Sequence, residues 1–260
     1  MAEESLLTER RGQIFIVTIN RPERMNALDR PTLMAGAKLI KELHYQKDIR
    51  VVIVTGTGDK AFCAGADLKE RENMSMSEVR QYIRAIRDTF TDIENLPMPV
   101  ICAINGIALG GGLEMALACD IRLASPNATL GLTEVTLGII PGGGGTQRLP
   151  RLVGRGKAKE MLFLGLRLTA DEAMEIGLIN HIAPEGKLMD MALEMADKIV
   201  NNPPIAVQQA KIAVNQGMEV DLKKGLEIES ASYEVCIPTK DRLEALAAFK
   251  EKRKPVFKGE

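Results

Sequence analysis

The sequence predicts an α/β fold with a layered core, followed by a C-terminal region that is nearly all helix. Two uninterrupted apolar runs, 51–55 and 100–104, are typical of strands that are covered on both faces. Segments with a helical spacing of apolar residues lie between the strands, whereas strand-like runs are scarce after residue 154. A chain of 260 residues is long enough for one large domain or for a core with an appendage.

The composition is that of an ordinary globular protein, with 45% hydrophobic and 27% charged residues. A net charge of −1 gives no global field that would attract nucleic acid or an anionic membrane. The first residues, Met-Ala-Glu-Glu-Ser, resemble neither a secretory signal nor an arginine-rich transit peptide, and no apolar run reaches the length of a membrane span. These features predict a cytoplasmic protein, or an organellar one if a leader has been removed.

The first part of the chain is expected to alternate strands and helices. The pattern predicts strands at 14–19, 51–55, 100–104, 120–125 and 128–132, and helices at 32–46, 77–95 and 113–118. Ser77 is the expected N-cap of the second of these helices, and the prolines in 96–99 end it before the next strand. Four glycines, 142–145, precede Thr146, which is expected to cap the following helix. The glycines lack the Gly-Lys-Ser/Thr ending of a phosphate-binding loop, so we interpret them as a tight turn.

The region after residue 154 is expected to be mostly helical. The predicted helices are 156–164, 169–176, 187–200, 205–215, 219–236 and 239–250. Asn-Asn-Pro-Pro, 201–204, is the best boundary and divides a core, 1–200, from a C-terminal helical region, 201–260. The later helices carry apolar stripes, such as Leu222, Leu226 and Ile228, that need a partner surface. They either join copies of the chain or cover their own core.

Cysteine and histidine do not form the patterns that their usual chemistry needs. The four cysteines, at 63, 102, 119 and 236, make no C-x-x-C pair and lie in apolar contexts, so they are expected to be reduced and buried. Cys63 has no neighbouring base that would activate it. With two histidines in the chain, neither a metal site nor a Ser-His-Asp triad is expected. Carboxylates are therefore the expected acid and base groups.

The stretch 104–120, in which an apolar strand passes three glycines and becomes a helix, has the features of a functional site. The first amides of a helix lack intrahelical partners and lie at the positive end of its dipole, so they suit an anionic oxygen. Glu114 lies about 4.5 Å further along the helix axis than Gly111, at ~1.5 Å per residue, which places a carboxylate beside such an amide. Taken alone, the glycines are explained equally well by tight helix packing.

Two further stretches favour the functional interpretation. Segment 131–148 contains Glu134, and 61–69, Ala-Phe-Cys-Ala-Gly-Ala-Asp-Leu-Lys, offers another backbone turn of small residues. Together with 104–120 these stretches resemble the motifs of the crotonase (enoyl-CoA hydratase/isomerase) family, and the resemblance runs from about residue 14 to the C-terminus. It implies a spiral of ββα turns with a C-terminal helical region for oligomerisation. It also implies that the amides of Ala66 and Gly111 form the oxyanion hole for a thioester, and that Glu114 and Glu134 hold the reacting water.

The same resemblance implies a surface for coenzyme A, which is part of the substrate and not a separate cofactor. Lys69 would lie near the CoA phosphates, whose negative charge attracts a cation. Without the resemblance, Lys69 would be interpreted as a solvated surface lysine. The family's C-terminal block implies a homo-oligomer, either a trimer or a dimer of trimers. The residues implied for substrate and CoA binding are Arg24, Ala27, Lys60, Ala64, Ala66, Asp67, Leu68, Lys69, Gly110 and Gly111.

The expected reaction is the addition of water across the 2,3-double bond of an enoyl-CoA thioester, which gives a 3-hydroxyacyl-CoA. Two glutamates favour a hydratase over an isomerase, which can manage with one proton-shuttling carboxylate. A finer resemblance, in segments such as Ala-Asp-Leu-Lys-Glu-Arg, 66–71, is to the methylglutaconyl-CoA hydratase branch, which includes an AU-rich-RNA-binding homologue. Its substrate carries a distal carboxylate, for which Arg71, Arg80 and Arg84 are candidate partners. Leucine catabolism and short-chain fatty acid oxidation both stay open, because crotonyl-CoA would fit the same machinery.

Two other functions are weighed against the hydratase. RNA binding would use the segment 33–50, whose four basic residues are interrupted by two acidic ones. These are Lys38, Lys41, Lys47 and Arg50, with Glu42 and Asp48 between them. With aromatic residues at only 3%, a solvated helix face is the favoured interpretation, and RNA is not an expected partner. The other alternative is a crotonase specialised as an enoyl-CoA isomerase or a CoA-ester hydrolase.

Overall fold

The structure, a computed structural model, describes residues 5–260 and contains two β-sheets with helices packed around them. The strands are β1 (Leu6–Arg11), β2 (Ile14–Ile19), β3 (Val51–Gly56), β4 (Ala61–Cys63), β5 (Val100–Ile104), β6 (Ile107–Leu109), β7 (Ile121–Ala124), β8 (Thr129–Gly131), β9 (Arg167–Thr169) and β10 (His181–Ile182). The larger sheet has the order β1-β2-β3-β5-β7-β10, and the smaller has the order β4-β6-β8-β9.

The helices follow the strands in the first part of the chain and dominate the last part. They are α1 (Arg30–Leu43), α2 (Leu68–Arg71), α3 (Met76–Glu94), α4 (Gly111–Ala118), α5 (Gly145–Val153), α6 (Arg155–Leu164), α7 (Ala170–Glu175), α8 (Leu188–Val200), α9 (Pro204–Gly217), α10 (Leu222–Cys236) and α11 (Lys240–Glu251). Short 3₁₀ turns at Pro22–Arg24 and Glu134–Leu137 complete the described chain.

From β3 to β8, consecutive strands alternate between the two sheets. The first members of the pairs β3/β4, β5/β6 and β7/β8 join the larger sheet, and the second members join the smaller one. Each pair is followed by helix, and the neighbouring strands from successive pairs are parallel. The chain therefore winds repeatedly in one direction, which confirms the expected spiral of ββα turns and the α/β fold class.

The larger sheet is buried on both faces. Val51 and Ile53 belong to a cluster that includes Leu188 on α8. The intervening residues Val52 and Val54 belong to the main core cluster on the opposite face. Because successive side chains of a strand point to opposite faces, a strand covered on both sides is apolar at every position, as its sequence predicts.

Both helix caps that the sequence predicted near the site are wrong by two residues. Ser75, not Ser77, caps α3: its hydroxyl accepts the Glu78 amide at 3.4 Å, and the Glu78 carboxylate accepts the Ser75 amide at 2.8 Å. This reciprocal capping box stabilises the start of the helix. Helix α5 begins after Gly144, whose φ is 111°, and not at Thr146. The glycine loop therefore ends in a left-handed turn that needs no side-chain cap.

Five strands and one short helix were not predicted. Strands β4, β6, β9 and β10 have two or three residues each, which is too short for a period of two to be recognised. Strand β1 is an edge strand that pairs antiparallel with β2 and is largely exposed, so it has a polar sequence. Helix α2 has four residues and begins at its N-cap, Asp67.

The predicted helices after residue 154 are all present, with boundaries that differ by a few residues. Helices α9 and α10 pack against each other, and the Lys211 ammonium joins α9 to the core through the Asp120 carboxylate at 2.7 Å. The break between α8 and α9 lies at 201–203, where the sequence placed a boundary. The division into a core and an oligomerisation region stays a prediction.

The C-terminal tail is fastened to the core by backbone-directed hydrogen bonds. The Arg50 guanidinium donates to the carbonyls of Val200 at 2.9 Å and Phe257 at 2.6 Å. The Asp241 carboxylate accepts the amides of Lys258 and Gly259 at 2.7 and 2.8 Å. Arg50 therefore joins the end of α8 and the C-terminal tail to the chain between α1 and β3. Within the part of the chain that the structure describes, no helix is long and apolar enough to cross a membrane.

Candidate active site

Helix α4 lies directly on strand β4, and glycine makes this contact possible. A Cβ atom on Gly112 would lie 2.0 Å from the carbonyl oxygen of Cys63, a distance that no real side chain tolerates. The first turn of α4 can therefore approach the end of β4 as closely as two backbones allow. Tight packing, the alternative that the sequence left open, is present, and it brings two functional segments together.

Two backbone amides lie close together at this contact. Gly65 has a φ of 97°, and this turn places Ala66 beside the start of α4. A Cβ on Gly111 would lie 3.8 Å from the Ala66 nitrogen, and one on Gly65 would lie 3.3 Å from the Gly111 nitrogen. Neither amide donates to any residue within 5–260. Two unsatisfied donors side by side can receive one oxygen atom.

Glu114 is held in a fixed position one turn into α4. Its side chain is buried, and one carboxylate oxygen, Oε1, accepts the amides of Gly143 at 2.7 Å and Gly145 at 2.8 Å. Burial raises the pKa of Glu114, and these two hydrogen bonds together with the positive charge of Arg148 limit the rise. The four-glycine turn thus presents two backbone amides to this carboxylate.

Arg148 also stabilises that glycine turn. Its guanidinium donates to the Gly143 carbonyl at 3.0 Å and forms a two-pronged ion pair with Glu94 on α3, at 3.1 and 2.6 Å. A planar guanidinium can make all these bonds at once, which fixes the turn relative to two helices. The sequence did not single out Arg148, because nothing in the local pattern shows that α3 passes beside it.

Glu134 lies opposite α4, at the start of the 3₁₀ turn that follows β8. A Cβ on Gly110 would be 3.2 Å from Glu134 Oε1, so the carboxylate contacts the backbone just before α4. Its other oxygen, Oε2, is buried and has no hydrogen-bond partner among the described residues. Burial, with a smaller contribution from the negative charge of Glu114, raises the pKa of Glu134 to about 7. An unpaired buried oxygen of this kind indicates a place for water or substrate.

The two glutamates and the two amides face one cavity of about 250 Å³. Most of its wall is apolar or glycine, and among the described residues the charged ones that line it are two glutamates and two arginines. The lining residues are Ala64, Gly65, Ala66, Leu68, Arg71, Ile83, Ile86, Leu109, Gly110, Gly111, Glu114, Thr133, Glu134, Thr136, Leu137, Ile139, Ile140, Gly142 and Arg167. Such an apolar cleft with a few convergent polar groups is typical of a small-molecule site.

Asp67, predicted to bind CoA, uses its side chain to join two segments. The carboxylate pairs with Arg21 at 3.1 Å and accepts the Lys69 amide at 3.1 Å, which caps α2. Burial by itself raises the pKa of Asp67, but the hydrogen bond from Arg21 and the α2 amides outweigh it and hold the pKa below its ordinary value. Arg21 also pairs with Asp29 at 2.9 Å, so it ties the turn before α1 to the segment of Ala66.

The other predicted CoA residues fall into two groups. Ala64, Leu68 and Gly110 line the cavity together with Ala66 and Gly111. Arg24, Lys60 and Lys69 are exposed and lie outside the cavity wall, and Ala27 is buried beneath the turn that carries Arg24. Their assignment to CoA stays a prediction.

Cys63 lies next to this site and is not equipped for nucleophilic chemistry. The thiol is fully enclosed, and burial raises its pKa to about 12. A thiol with such a pKa carries almost no thiolate at neutral pH. Cys102 and Cys119 are also buried, as predicted, whereas Cys236 is half-buried.

The family model for enoyl-CoA hydratase/isomerase matches residues 9–260, which is nearly the whole chain. The chain belongs to this family. Membership confirms the resemblance that the three motifs indicated, and it fits a cavity that combines paired carboxylates with free backbone amides.

Three similar proteins show which members of the family this chain resembles. It is 50% identical to the mitochondrial methylglutaconyl-CoA hydratase of Homo sapiens, over 97% of this chain and 75% of that one. It is 46% identical to the short-chain-enoyl-CoA hydratase of Clostridium acetobutylicum, over 98% and 97% of the two chains. The crystal structure of enoyl-CoA hydratase from Bacillus anthracis has a TM-score of 0.97 and 50% identity, and the match covers 99% of this chain and 100% of that one. These relatives confirm the prediction of an enzyme of the hydro-lyase class.

Proposed function

We propose that this chain adds water to the 2,3-double bond of a short enoyl-CoA thioester and gives a 3-hydroxyacyl-CoA. One observation carries the proposal: a buried carboxylate, a half-buried carboxylate and two free backbone amides face the same small cavity. The amides suit an oxygen that becomes negative, and the carboxylates suit a water molecule that must lose a proton. Both needs arise in the same reaction.

The amides of Ala66 and Gly111 would receive the thioester oxygen. Attack of water at Cβ moves the electrons of the double bond through Cα onto this oxygen, so negative charge develops there only as the reaction proceeds. Donors fixed in advance stabilise that charge without having to reorganise. Loss of one such donor costs about 2.7–4 kcal/mol of transition-state stabilisation.

The carboxylates of Glu114 and Glu134 would hold the reacting water between them. Glu114 would accept the proton that the water loses as its oxygen bonds to Cβ. Glu134 would deliver a proton to Cα as the electrons return from the thioester oxygen. The roles exchange in the reverse direction, since the same path is followed. A Glu134 pKa of about 7 supports this division, because such a carboxyl group is partly protonated at neutral pH.

The pair of carboxylates favours hydration over the other reactions of a crotonase. An isomerase needs one carboxylate to carry a proton between two carbons, whereas hydration benefits from a second one that orients water. A CoA-ester hydrolase would release free thiol. A cavity of about 250 Å³ suits a short acyl group better than a long one.

The hydratase assignment is tested by following the absorbance of the conjugated double bond. Crotonyl-CoA should lose this absorbance when the protein is added, with no release of free thiol. Glu114→Gln and Glu134→Gln should each slow the loss by about 10²–10⁴-fold, because each removes an acid–base group that the reaction needs. Glu160→Gln, a matched change of an exposed glutamate on α6, should leave the rate as it is. Thiol release, or unchanged rates in both site variants, would refute the assignment.

A further inference from the structure

The backbone at Ala66 is held by Leu28, a residue that is distant from it in the sequence. The two residues form a parallel β-bridge. The Leu28 amide donates to the Gly65 carbonyl at 2.8 Å, and the Asp67 amide donates to the Leu28 carbonyl at 2.8 Å. Both peptide groups that flank Ala66 are therefore bonded to Leu28, and the position of Leu28 sets the position of the Ala66 backbone.

The direction of the Ala66 amide follows from the bond at Gly65. The Gly65 C=O and the Ala66 N–H belong to one planar peptide group, and in a trans peptide group they point in opposite directions. The described chain contains no cis peptide bond. Because the carbonyl is fixed on Leu28, the Ala66 N–H points away from Leu28, and it has no acceptor among the described residues. Since Ala66 lines the cavity, this donor is left for a ligand.

Leu28 is in turn held by two side chains, one at each of its peptide groups. The hydroxyl of Tyr82, on α3, donates to the Leu28 carbonyl at 2.5 Å. The Arg21 guanidinium donates to the carbonyl of Ala27, which belongs to the same peptide group as the Leu28 amide. Neither side chain is among the described residues that line the cavity. Any effect of Tyr82 or Arg21 on a substrate must therefore pass through the backbone that they hold.

The turn that leads into Leu28 has a conformation that needs such support. Met25 and Asn26 have φ values of 52° and 54°, in the left-handed region that residues with a side chain rarely adopt. A turn of this kind persists only where the surrounding groups hold it. The Asn26 side chain holds the first half, since its Nδ2 donates to the Ala61 carbonyl at 2.7 Å. The second half depends on the two side chains that bond to residues 27 and 28.

Both of these donors are enclosed and keep their protons. Tyr82 is 3% exposed, and burial raises the pKa of its hydroxyl, so the phenol stays protonated near neutral pH. The guanidinium of Arg21 is held from its other side by the carboxylates of Asp29 and Asp67, at 2.9 and 3.1 Å. The Leu28 carbonyl already accepts the Asp67 amide, so it would be satisfied without the tyrosine. The hydroxyl is thus a second fastening at this carbonyl.

We propose that Arg21 and Tyr82 are positioning residues of the oxyanion hole. They hold Leu28 where it orients the Ala66 amide toward the thioester oxygen. Arg21 also begins a chain of hydrogen bonds that runs through the peptide groups 27–28 and 65–66 and ends at that amide. Bonds in such a chain polarise one another, so loss of the first weakens the last donor as well as loosening it. The inference rests on the proposed hydratase function, in which this amide stabilises the charge of the transition state.

Tyr82→Phe is the sharpest test, because it removes one hydroxyl and keeps the ring that packs in the core. Tyr45→Phe is the matched control, since that side chain is 81% exposed. The alternative to be separated is a purely structural role, in which the hydroxyl stabilises the fold and has no effect on the Ala66 amide.

Arg21→Lys tests the other fastening. Lysine keeps the positive charge but lacks the planar fork that bonds a carbonyl and two carboxylates at once. Arg10→Lys is its control. Arg10 also donates to a backbone carbonyl, that of Gly12, and to the carboxylate of Asp48, but it lies on the exposed strand β1.

Two measurements are made on each protein, together with Tm. Hydration of crotonyl-CoA gives kcat and KM as a function of pH. Infrared spectroscopy of bound butyryl-CoA, labelled with ¹³C at the thioester carbonyl, reports how strongly the two amides polarise that carbonyl. Butyryl-CoA suits this purpose because it has no double bond to hydrate.

We expect Tyr82→Phe to lower kcat by about 10-fold and Arg21→Lys by about 10–100-fold, less than the 10²–10³-fold that loss of a whole donor costs. KM should change by less than about threefold, because the affected bond strengthens mainly in the transition state. The midpoints of the pH profile should stay in place, since Glu114 and Glu134 are unchanged. The carbonyl band should move in both variants toward the frequency of the free thioester. The two controls should behave as the wild type.

Several results would overturn the inference and leave the hydratase assignment intact. One is a lower Tm with unchanged kcat and carbonyl band, which would assign both side chains to folding. Another is a loss of kcat with no shift of the band, or with displaced pH midpoints, which would locate the effect outside the oxyanion hole. If Arg21→Lys does not fold, Tyr82→Phe decides alone. A wild-type protein that does not hydrate crotonyl-CoA would remove the proposed function, and the band of Tyr82→Phe would still decide whether the tyrosine orients the amide.

Discussion

Glu114 and Glu134 are both enclosed, yet their surroundings treat the charged form differently. Glu114 accepts two backbone amides at one oxygen, which compensates part of its lost hydration. Glu134 has a buried oxygen with no such donor among the described residues, and its pKa rises to about 7. Burial therefore raises the pKa of both carboxyl groups, and at Glu114 the two backbone hydrogen bonds from the glycine turn oppose the rise directly. In the proposed reaction Glu114 takes a proton from the water and Glu134 delivers one to Cα.

This difference predicts how Glu134 affects stability. Its pKa is about 7 in the folded chain and near 4.5 when unfolded, so the folded state holds the proton more tightly. Glu134 consequently costs no stability below about pH 4, and the cost grows as the pH rises through 7. Glu134→Gln removes a carboxyl group whose ionisation destabilises the folded state. We expect it to raise Tm at pH 8 and to leave Tm nearly unchanged at pH 4.

Thermal unfolding at the two pH values checks this expectation. Glu194→Gln on α8 is the control, since that carboxylate is exposed and its ion pair with Lys198 should contribute little at either pH. A Glu134→Gln variant that is less stable than the wild type at pH 8 would mean that the ionised carboxylate is well satisfied in the folded state.

At the residue scale, motifs located the glutamates and amides but not all of the groups around them. Arg167 was missed because its place in the cavity depends on the register of β9 with β8, which is a long-range contact. The Ser75 cap could have been found. Ser75 is followed three residues later by Glu78, the pattern of a capping box, whereas Ser77 is followed by Arg80.

Among the elements, α4 depends most on a single small residue. A methyl group on Gly112 would collide with the Cys63 carbonyl at 2.0 Å, so the helix would have to move away from β4. We expect Gly112→Ala to lower the free energy of unfolding by about 1–3 kcal/mol, as overpacking does. It should also lower kcat by about 10²-fold, because displacement by about 1 Å moves the Gly111 amide out of place.

Chemical denaturation and the hydration assay measure these two effects separately. Gly156→Ala is a matched control, because that glycine lies within the first turn of α6 and a Cβ there would meet no atom within 4 Å. It should raise stability by about 0.4–1 kcal/mol and leave kcat alone. If Gly112→Ala behaved like Gly156→Ala, α4 would not be held against β4 as the structure has it.

The strands show why only part of the fold can be predicted element by element. Long apolar strands of the larger sheet, such as β3 and β5, were recognised because each residue is buried. The smaller sheet consists of three-residue strands, and their sequences carry no period. The spiral of ββα turns followed from the resemblance to the family and not from patterning, since β8 is the one strand of the smaller sheet that the local pattern predicted.

At the scale of the whole molecule, the C-terminal helices expose an apolar surface. Leu222 and Leu226, one turn apart on α10, are 78% and 52% exposed. Other exposed apolar residues on α9 to α11 and the turn between α9 and α10 are Val214, Met218, Val220, Tyr233, Val235, Leu243, Leu246 and Phe249. Within the described chain, Leu222 and Leu226 of the predicted stripe therefore stay uncovered, whereas Ile228 is half-buried. A surface of this kind is typical of an interface between copies.

This surface predicts that the chain assembles through α10. If the wild type forms the predicted trimer or dimer of trimers, the double change Leu222→Glu with Leu226→Glu should shift it toward smaller species, because it puts charge into an apolar contact. Light scattering coupled to size-exclusion chromatography measures the mass directly. Tyr45→Glu, at an equally exposed position outside the C-terminal helices, should not change it. A wild-type protein that runs as a monomer would contradict the predicted assembly.

The central claim is that Glu114 and Glu134 act together on one water molecule, and a double-mutant cycle in kcat tests it most directly. Each single Gln variant should lose about 10²–10⁴-fold in crotonyl-CoA hydration. If both groups serve the same water, the double variant should be no more than about tenfold slower than the slower single variant. A double variant whose loss equals the product of the two single losses would contradict the claim, because it would mean that the carboxylates act independently.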